Sequence, residues 1–202
     1  MAWSELKSVP NEYNDVIKAI DENILKLLME RKGISNGRRF FPPNEIVSAW
    51  AVEFDLDIPQ INGLIHSLTE SSTITLPNGP GKLINVLPIM KKSAIDGFEY
   101  EITHSMQHEN GSIVFIEINQ LNEDENTGHV RPKLLLDVNG EQEYSVHGKG
   151  AHGGGGHTQL SFMVIPRLPD GIEELKFRLI PYAHPMEARP KEIILDKEVS
   201  FE

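Results

Sequence analysis

The sequence predicts an α+β protein with a helical N-terminal domain over residues 1–92 and an all-β C-terminal domain over residues 96–202. Apolar residues in the first part recur with helical spacing, whereas beyond residue 96 they alternate with polar residues, which is the period of a strand. The charge changes at the same place, because residues 1–95 hold 10 Lys/Arg against 11 Asp/Glu and residues 96–202 hold 9 against 19. Both changes place the domain boundary between residues 92 and 96.

Three helices are predicted in the N-terminal part. The first covers residues 13–32, where apolar side chains form one stripe and charged side chains lie opposite. The second covers about residues 44–54 and begins after Pro43, since proline suits the start of a helix. The third runs from about Ile58 to Glu70, with Asp57 as its N-cap.

A β-hairpin is predicted after the third helix, because residues 73–76 and 82–87 are β-prone and flank a turn rich in proline and glycine. Two helices, a short turn, a third helix and a hairpin stand in the order of a winged helix-turn-helix. Residues 13–88 resemble the winged-helix domain of GntR-type bacterial regulators. The resemblance rests on Pro43 and Glu45 at the start of the second helix, Ala51 within it, Leu56 after the turn, Ile61 and Leu64 in the third helix, and Gly79 and Gly81 in the wing.

The resemblance implies a transcription regulator whose third helix and wing contact DNA, and whose β domain binds an effector or dimerises. The residues available to contact bases or phosphates are Arg38, Arg39, Gln60, Asn62, Lys82, Lys91 and Lys92. Asp55 stands where the turn of the family has glycine, and the third helix begins without the Ser, Thr and Arg that the family places there. Affinity for duplex DNA depends largely on neutralised phosphates. Docking of a protein partner or homo-oligomerisation is therefore the alternative.

The first helix alone also resembles the opening helix of the all-helical chorismate mutases, which implies that Arg31 binds a substrate carboxylate. The lysine expected further along that helix falls where Pro42 and Pro43 stand. The sequence has no nucleophile-elbow motif, and its acidic pairs lie beside turn signals. We therefore expect a non-enzymatic protein without a cofactor.

About seven short strands are predicted in the C-terminal part, which favours an antiparallel sandwich. Alternating apolar residues mark the clearest strands, at residues 98–102, 114–118, 134–138, 160–164 and 175–179. Asn-Gly and Asp-Gly pairs supply the sharpest turn signals, at residues 110–111, 139–140 and 170–171. Since this part lacks both cysteine and tryptophan, the expectation is a generic immunoglobulin-like sandwich.

Residues 146–158, VHGKGAHGGGGHT, predict a glycine-rich loop between two strands. Imidazoles are common ligands of divalent metals, so a metal site in this loop is a further alternative. In a continuous strand, two histidines four residues apart would face the same side, so such a pair adds two candidate metal ligands to those of the loop. The candidate ligands are His104, His108, His147, His152 and His157.

Composition limits the remaining function classes. The chain has no cysteine, which excludes disulfides and thiolate metal sites. No apolar run approaches the roughly 18–20 residues that span a bilayer, and the N-terminus lacks the pattern of a signal peptide. The net charge of −11 disfavours contact with anionic membranes. We expect a cytoplasmic protein with no membrane partner.

Overall fold

The computed structural model describes residues 11–35, 40–68, 79–122, 130–184 and 193–201. The chain forms two compact units, of which the first contains Met1–Phe40 with Leu68–Glu70 and the second contains Phe41–Ser67 with Ser71–Glu202. The helices are α1 (Asp15–Ser35), α2 (Asn44–Phe54) and α3 (Ile58–Ser67). The strands are β1 (Leu83–Ile95), β2 (Phe98–His108), β3 (Ser112–Gln120), β4 (Val130–Pro132), β5 (Leu134–Asn139), β6 (Ser145–Gly154), β7 (His157–Ile165), β8 (Lys176–Pro181), β9 (Ile193–Leu195) and β10 (Val199–Phe201). The predicted α+β class is confirmed.

Helix α1 belongs to the first unit and is shifted toward the C-terminus relative to the predicted residues 13–32, since it begins at Asp15 and ends at Ser35. Asn14 caps its N-terminus, because Asn14 Oδ1 accepts hydrogen bonds from the backbone N–H of Val16 at 3.0 Å and of Ile17 at 3.1 Å. The helix continues through Gly33 to Ser35, whose hydroxyl donates to the Lys32 carbonyl at 3.0 Å. The last carbonyls of a helix have no partner within the helix, and this hydrogen bond gives the Lys32 carbonyl one. Gly33 therefore lies inside the helix, two residues before its end.

Helices α2 and α3 belong to the second unit and pack against each other. The bounds predicted for α2 are confirmed, whereas α3 ends at Ser67, three residues before the predicted Glu70. Asp55 ends α2 in the left-handed conformation, with φ 51°, and so occupies the turn position at which the resembled family has glycine. The carboxamide Oε1 of Gln60 accepts from the Asp57 N–H at 3.1 Å, which is one half of a capping box at the start of α3.

The strands of the second unit form two larger antiparallel sheets and one small sheet. The five-stranded sheet has the order β1-β2-β3-β7-β6, and the three-stranded sheet has the order β10-β8-β5. A two-stranded parallel sheet pairs β4 with β9. Strands of both larger sheets contribute to one apolar core, whose least exposed members include Ile102, Val114, Ile116, Val164, Leu179 and Val199. Alternating residues point inward, as the period of two in the sequence predicts.

Strand β1 crosses the residues at which the sequence places the domain boundary. It runs from Leu83 to Ile95 and pairs with β2 on both sides of an irregularity between Pro88 and Lys91, where Met90 has φ 54°. Residues 82–87, predicted as the second strand of a wing hairpin, therefore fall mostly in the five-stranded sheet, and residues 73–76 lie outside the described residues. The change of period near residue 96 marks the turn between β1 and β2, where Asp96 and Gly97 have φ 54° and 81°.

The prediction of a glycine-rich loop over residues 146–158 is wrong. These residues form most of the β6–β7 hairpin, whose register runs from Ser145 opposite Ile165 to Gly154 opposite His157. Only Gly155 and Gly156, with φ 62° and 84°, make the two-residue turn. Glycine adopts extended backbone as well as positive φ, so the other glycines pair in the strand although they bring no side chains to a core. In the described part of the chain, no helix is long and apolar enough to cross a membrane.

Candidate functional site

The first turn of α3 holds two of the residues predicted to contact DNA, and both are engaged within the second unit. Gln60 caps the helix through Asp57. Asn62 Nδ2 donates to the Pro181 carbonyl at 2.8 Å, at the end of β8. The backbone N–H of Ala183 donates to the Pro59 carbonyl at 2.9 Å. The start of α3 is thus fastened to the residues around the end of β8.

The far end of α3 makes an aromatic contact with the same segment. The ring of His66 meets Tyr182 edge-on, with centroids 5.7 Å apart, and stacks with Phe41 at 6.0 Å. Three residues of α3 are buried, Pro59, Ile61 and Gly63. Together with the hydrogen bonds of Asn62 and Pro59, this packing makes α3 a supporting element of the β part of the second unit.

The basic residues predicted to contact phosphates are separated along β1 or lie outside the described residues. Lys92 Nζ forms ion pairs with two carboxylates on β2, those of Glu101 at 3.0 Å and Glu99 at 3.1 Å. The hydrogen bond with Glu101, and to a lesser extent the one with Glu99, raises the pKa of Lys92. Its neighbour Lys91 points to the opposite face of the strand, because successive side chains alternate. Lys82 is exposed and precedes β1. Arg38 and Arg39 lie outside the described residues.

The five candidate histidines have separate local partners. On β2, His104 stacks on Phe115 with centroids 4.7 Å apart, and His108 Nδ1 donates to the Gly81 carbonyl at 2.9 Å. On the β6–β7 hairpin, His147 is hydrogen-bonded to Ser145, His157 to Asn119, and His152 lies opposite Gln159 in the register. Among the described residues, no group of three His, Asp or Glu side chains is placed to hold a metal ion.

Helix α1 exposes a stripe of large apolar side chains in the first unit. Its members follow one another at alternating steps of four and three residues, beginning just before the helix: Tyr13, Ile17, Ile20, Ile24, Leu27 and Ile34, with Arg31 at the remaining position. Each of the six apolar side chains is at least 43% exposed. We call this set the α1 stripe. The sequence indicates the stripe through its period, but a helical period does not distinguish a core face from an interface.

A groove of about 350 Å³ lies beside the C-terminal half of the α1 stripe. It is lined by Leu27, Glu30, Arg31, Ile34, Ser35 and Phe40. The Arg31 guanidinium donates to the Leu68 carbonyl at 2.7 Å and to the Phe40 carbonyl at 3.2 Å. Arg31 therefore connects α1 to Phe40 and Leu68 within the first unit, which is a different role from the carboxylate binding implied by the chorismate-mutase resemblance.

No family model matches the chain, and neither a curated protein nor a solved structure is significantly similar to it. The resemblance of residues 13–88 to GntR-type regulators stays a prediction. Among the surfaces described above, the α1 stripe is the most extended apolar one associated with a single helix.

Proposed function

We propose that the protein is a non-enzymatic interaction component that associates with protein through α1. The observation that carries the proposal is the exposure of the α1 stripe. Large apolar side chains lying contiguously on a surface are typical of interaction sites, whereas single exposed ones are ordinary. An amphipathic helix also gains most of its stability from packing of its apolar face. Burial of the α1 stripe against protein would supply that packing.

Site-specific photo-crosslinking of the full chain in its native cells or an extract of them tests this proposal. A photoreactive amino acid at Ile20 sits in the α1 stripe, and one at Glu22, on the opposite side of the helix and 55% exposed, is the matched control. We expect crosslinked protein products from position 20 and few from position 22. Absence of protein products at position 20, or equal yields at both positions, would contradict an interaction through the α1 stripe.

Duplex-DNA binding by α2 and α3 is the second candidate. The observation that favours it is the order of α2, a left-handed turn residue at Asp55, and α3, as in a helix-turn-helix. It ranks second because Gln60 and Asn62 have partners inside the second unit and Lys92 is paired with carboxylates.

Fluorescence anisotropy with a labelled mixed-sequence duplex distinguishes the two candidates. Contacts with phosphates would give binding at low salt that weakens by orders of magnitude between about 50 and 200 mM salt. We expect no such salt-sensitive binding. A steep salt dependence, lost on replacing Lys82 and Lys91 by Gln, would favour the DNA candidate over the interaction proposal.

A further inference from the structure

We propose that the occupant of the α1 stripe is α1 of a second copy of the chain, paired in the antiparallel direction. This inference rests on the proposed function and adds the partner and its orientation to it. Three features of the first unit carry it: the spacing of the stripe, the position of the groove, and the distribution of charge along the helix.

The spacing of the α1 stripe is that of two helices packed side by side. Alternating steps of three and four residues form a seam that repeats every 3.5 residues, which is the seam of a two-helix coiled coil. From Ile17 to Ile34 the seam is roughly 25 Å long at about 1.5 Å per residue. The seam positions between them hold isoleucine and leucine, with Arg31 as the one charged member.

The groove lies at one end of the stripe only. Its lining includes Leu27, Arg31 and Ile34 of α1, together with Phe40. Apolar side chains from the N-terminal half of another α1, Ile17 and Ile20, are of the size and kind that fill such a depression. In an antiparallel pair each copy presents its N-terminal half to the groove of the other, so that both grooves are filled. A parallel pair would place groove against groove.

Charge distribution along α1 favours the same orientation. Residues 12–22 contain Glu12, Asp15, Asp21 and Glu22 against Lys18, whereas residues 26–32 contain Lys26, Arg31 and Lys32 against Glu30. Antiparallel pairing brings the acidic half of each helix to the basic half of the other, and parallel pairing brings like charges together. The helix dipoles are also opposed favourably when the helices are antiparallel.

One register satisfies the seam. Seam positions of the two helices meet in pairs when Ile24 faces Leu27 of the second copy and Ile17 faces Ile34 of the second copy. Arg31 then lies across from Ile20 of the second copy, one position from its Asp21. The register predicts the position of every residue of α1 relative to its equivalent in the second copy.

Sedimentation velocity of the purified full chain tests self-association, with one variant in the stripe and one beside it. Ile24 is 56% exposed in the stripe and Leu25 is 60% exposed beside it. Because both are exposed, Glu at either position should leave the chain folded, which far-UV circular dichroism checks. We expect wild type and Leu25→Glu to be dimers, and Ile24→Glu to have a dissociation constant raised by about 100-fold or more.

Orientation is tested by spin-label distances, which the absence of native cysteine makes simple. The proposed register separates the two copies of position 15 by about 30 Å along the helix axes and the two copies of position 29 by about 10 Å. Labelled Asp15→Cys should therefore give a distance longer than labelled Met29→Cys by more than about 10 Å. Equal distances would overturn the antiparallel assignment in favour of a parallel pair.

The outcomes separate the inference from the proposed function. A monomeric wild-type chain, or a dimer unaffected by Ile24→Glu, would overturn self-pairing through α1. If position 20 still crosslinked to a different protein, the interaction role would stand with another occupant. If it crosslinked to no protein, both would fail.

Discussion

Tyr100 on β2 connects burial of a single residue to the stability of the protein at alkaline pH. The side chain is 2% exposed in the apolar core. Burial, followed by the negative charges of Asp96 and Asp196, raises the pKa of Tyr100 from 10.0 to about 12. Above pH 10 the unfolded chain loses the phenolic proton while the folded protein keeps it. The folded state then binds more protons, so the free energy of unfolding falls as the pH rises toward 12.

We expect Tyr100→Phe to remove this contribution. Urea unfolding of wild type and variant between pH 8 and 12 gives the difference in their free energies of unfolding at each pH. That difference should be constant below pH 10, where the phenol is protonated in both states. Above pH 10 the free energy of unfolding of wild type should fall relative to that of the variant. The same difference at pH 8 and pH 11.5 would show that the phenol titrates alike in the folded and unfolded chain.

The roles of single residues were the least predictable part of the candidate site. Gln60 and Asn62 were identified from the sequence as polar residues at the start of α3, where DNA-binding helices meet bases. Their partners decide their role, and the Pro181 carbonyl lies 119 positions from Asn62 in the chain. A local pattern carries no information about such a contact. The capping role of Gln60 could be predicted from the sequence, because Asp57 and Gln60 have the spacing of a capping box.

At the scale of elements, the β6–β7 hairpin shows that a high glycine content does not by itself distinguish a loop from a strand. Six glycines in thirteen residues predict a loop when composition alone is weighed. Strand β6 nevertheless forms because it pairs with β7. Strand β7 is anchored in the core by Leu160, Phe162 and Val164, and its backbone offers hydrogen-bond partners to β6. Helix α2 was predictable to the residue because Pro43 and Asp55 mark both of its ends locally.

Two adjacent glycines of β6 should respond differently to alanine. A Cβ at Gly153 would overlap the backbone of His157 and Thr158 on β7, whereas a Cβ at Gly154 would have no atom within 4 Å. We expect Gly153→Ala to destabilise the hairpin by about 1–3 kcal/mol, because backbone must move to admit the methyl group.

Gly154→Ala is the matched control and should change stability by no more than about 0.5 kcal/mol. Amide hydrogen exchange over residues 145–165 measures opening of the hairpin directly, and urea unfolding reports any effect on the whole second unit. Equal exchange rates in the two variants would mean that the β6–β7 ladder near the turn is not paired in solution.

For the whole molecule, the sequence predicted the α+β class, and its division of the chain between residues 92 and 96 stays a prediction. The switch from helical to strand period near residue 96 marks the turn between β1 and β2 rather than the start of the five-stranded sheet, because β1 begins at Leu83. The compact units depend instead on contacts between distant segments, such as Arg31 with Leu68 in the first unit and α3 with the end of β8 in the second. Hydrophobic period describes which face of an element is apolar, not which element covers it.

The net charge of −11 allows a prediction for the entire chain. Folding brings like charges closer together, so self-repulsion opposes the compact state and salt relieves it. Salt also weakens ion pairs such as Arg178 with Asp137, but that pair is partly exposed and pairs of this kind contribute only about 0.2–1 kcal/mol. Repulsion should therefore dominate. We expect the free energy of unfolding to rise by about 1 kcal/mol between about 20 and 200 mM NaCl, measured by urea unfolding at a fixed protein concentration.

Two exposed charges away from the described ion pairs provide opposite controls. Glu174→Gln lowers the excess of negative charge, so it should raise stability at low salt and flatten the salt dependence. Lys149→Gln increases the excess and should do the reverse. If stability fell with added NaCl in all three proteins, specific ion pairs would outweigh the repulsion. The acidic composition would then bear on the solubility of the chain rather than on the stability of its fold, because the ion pairs that salt weakens would contribute more than the repulsion that salt relieves.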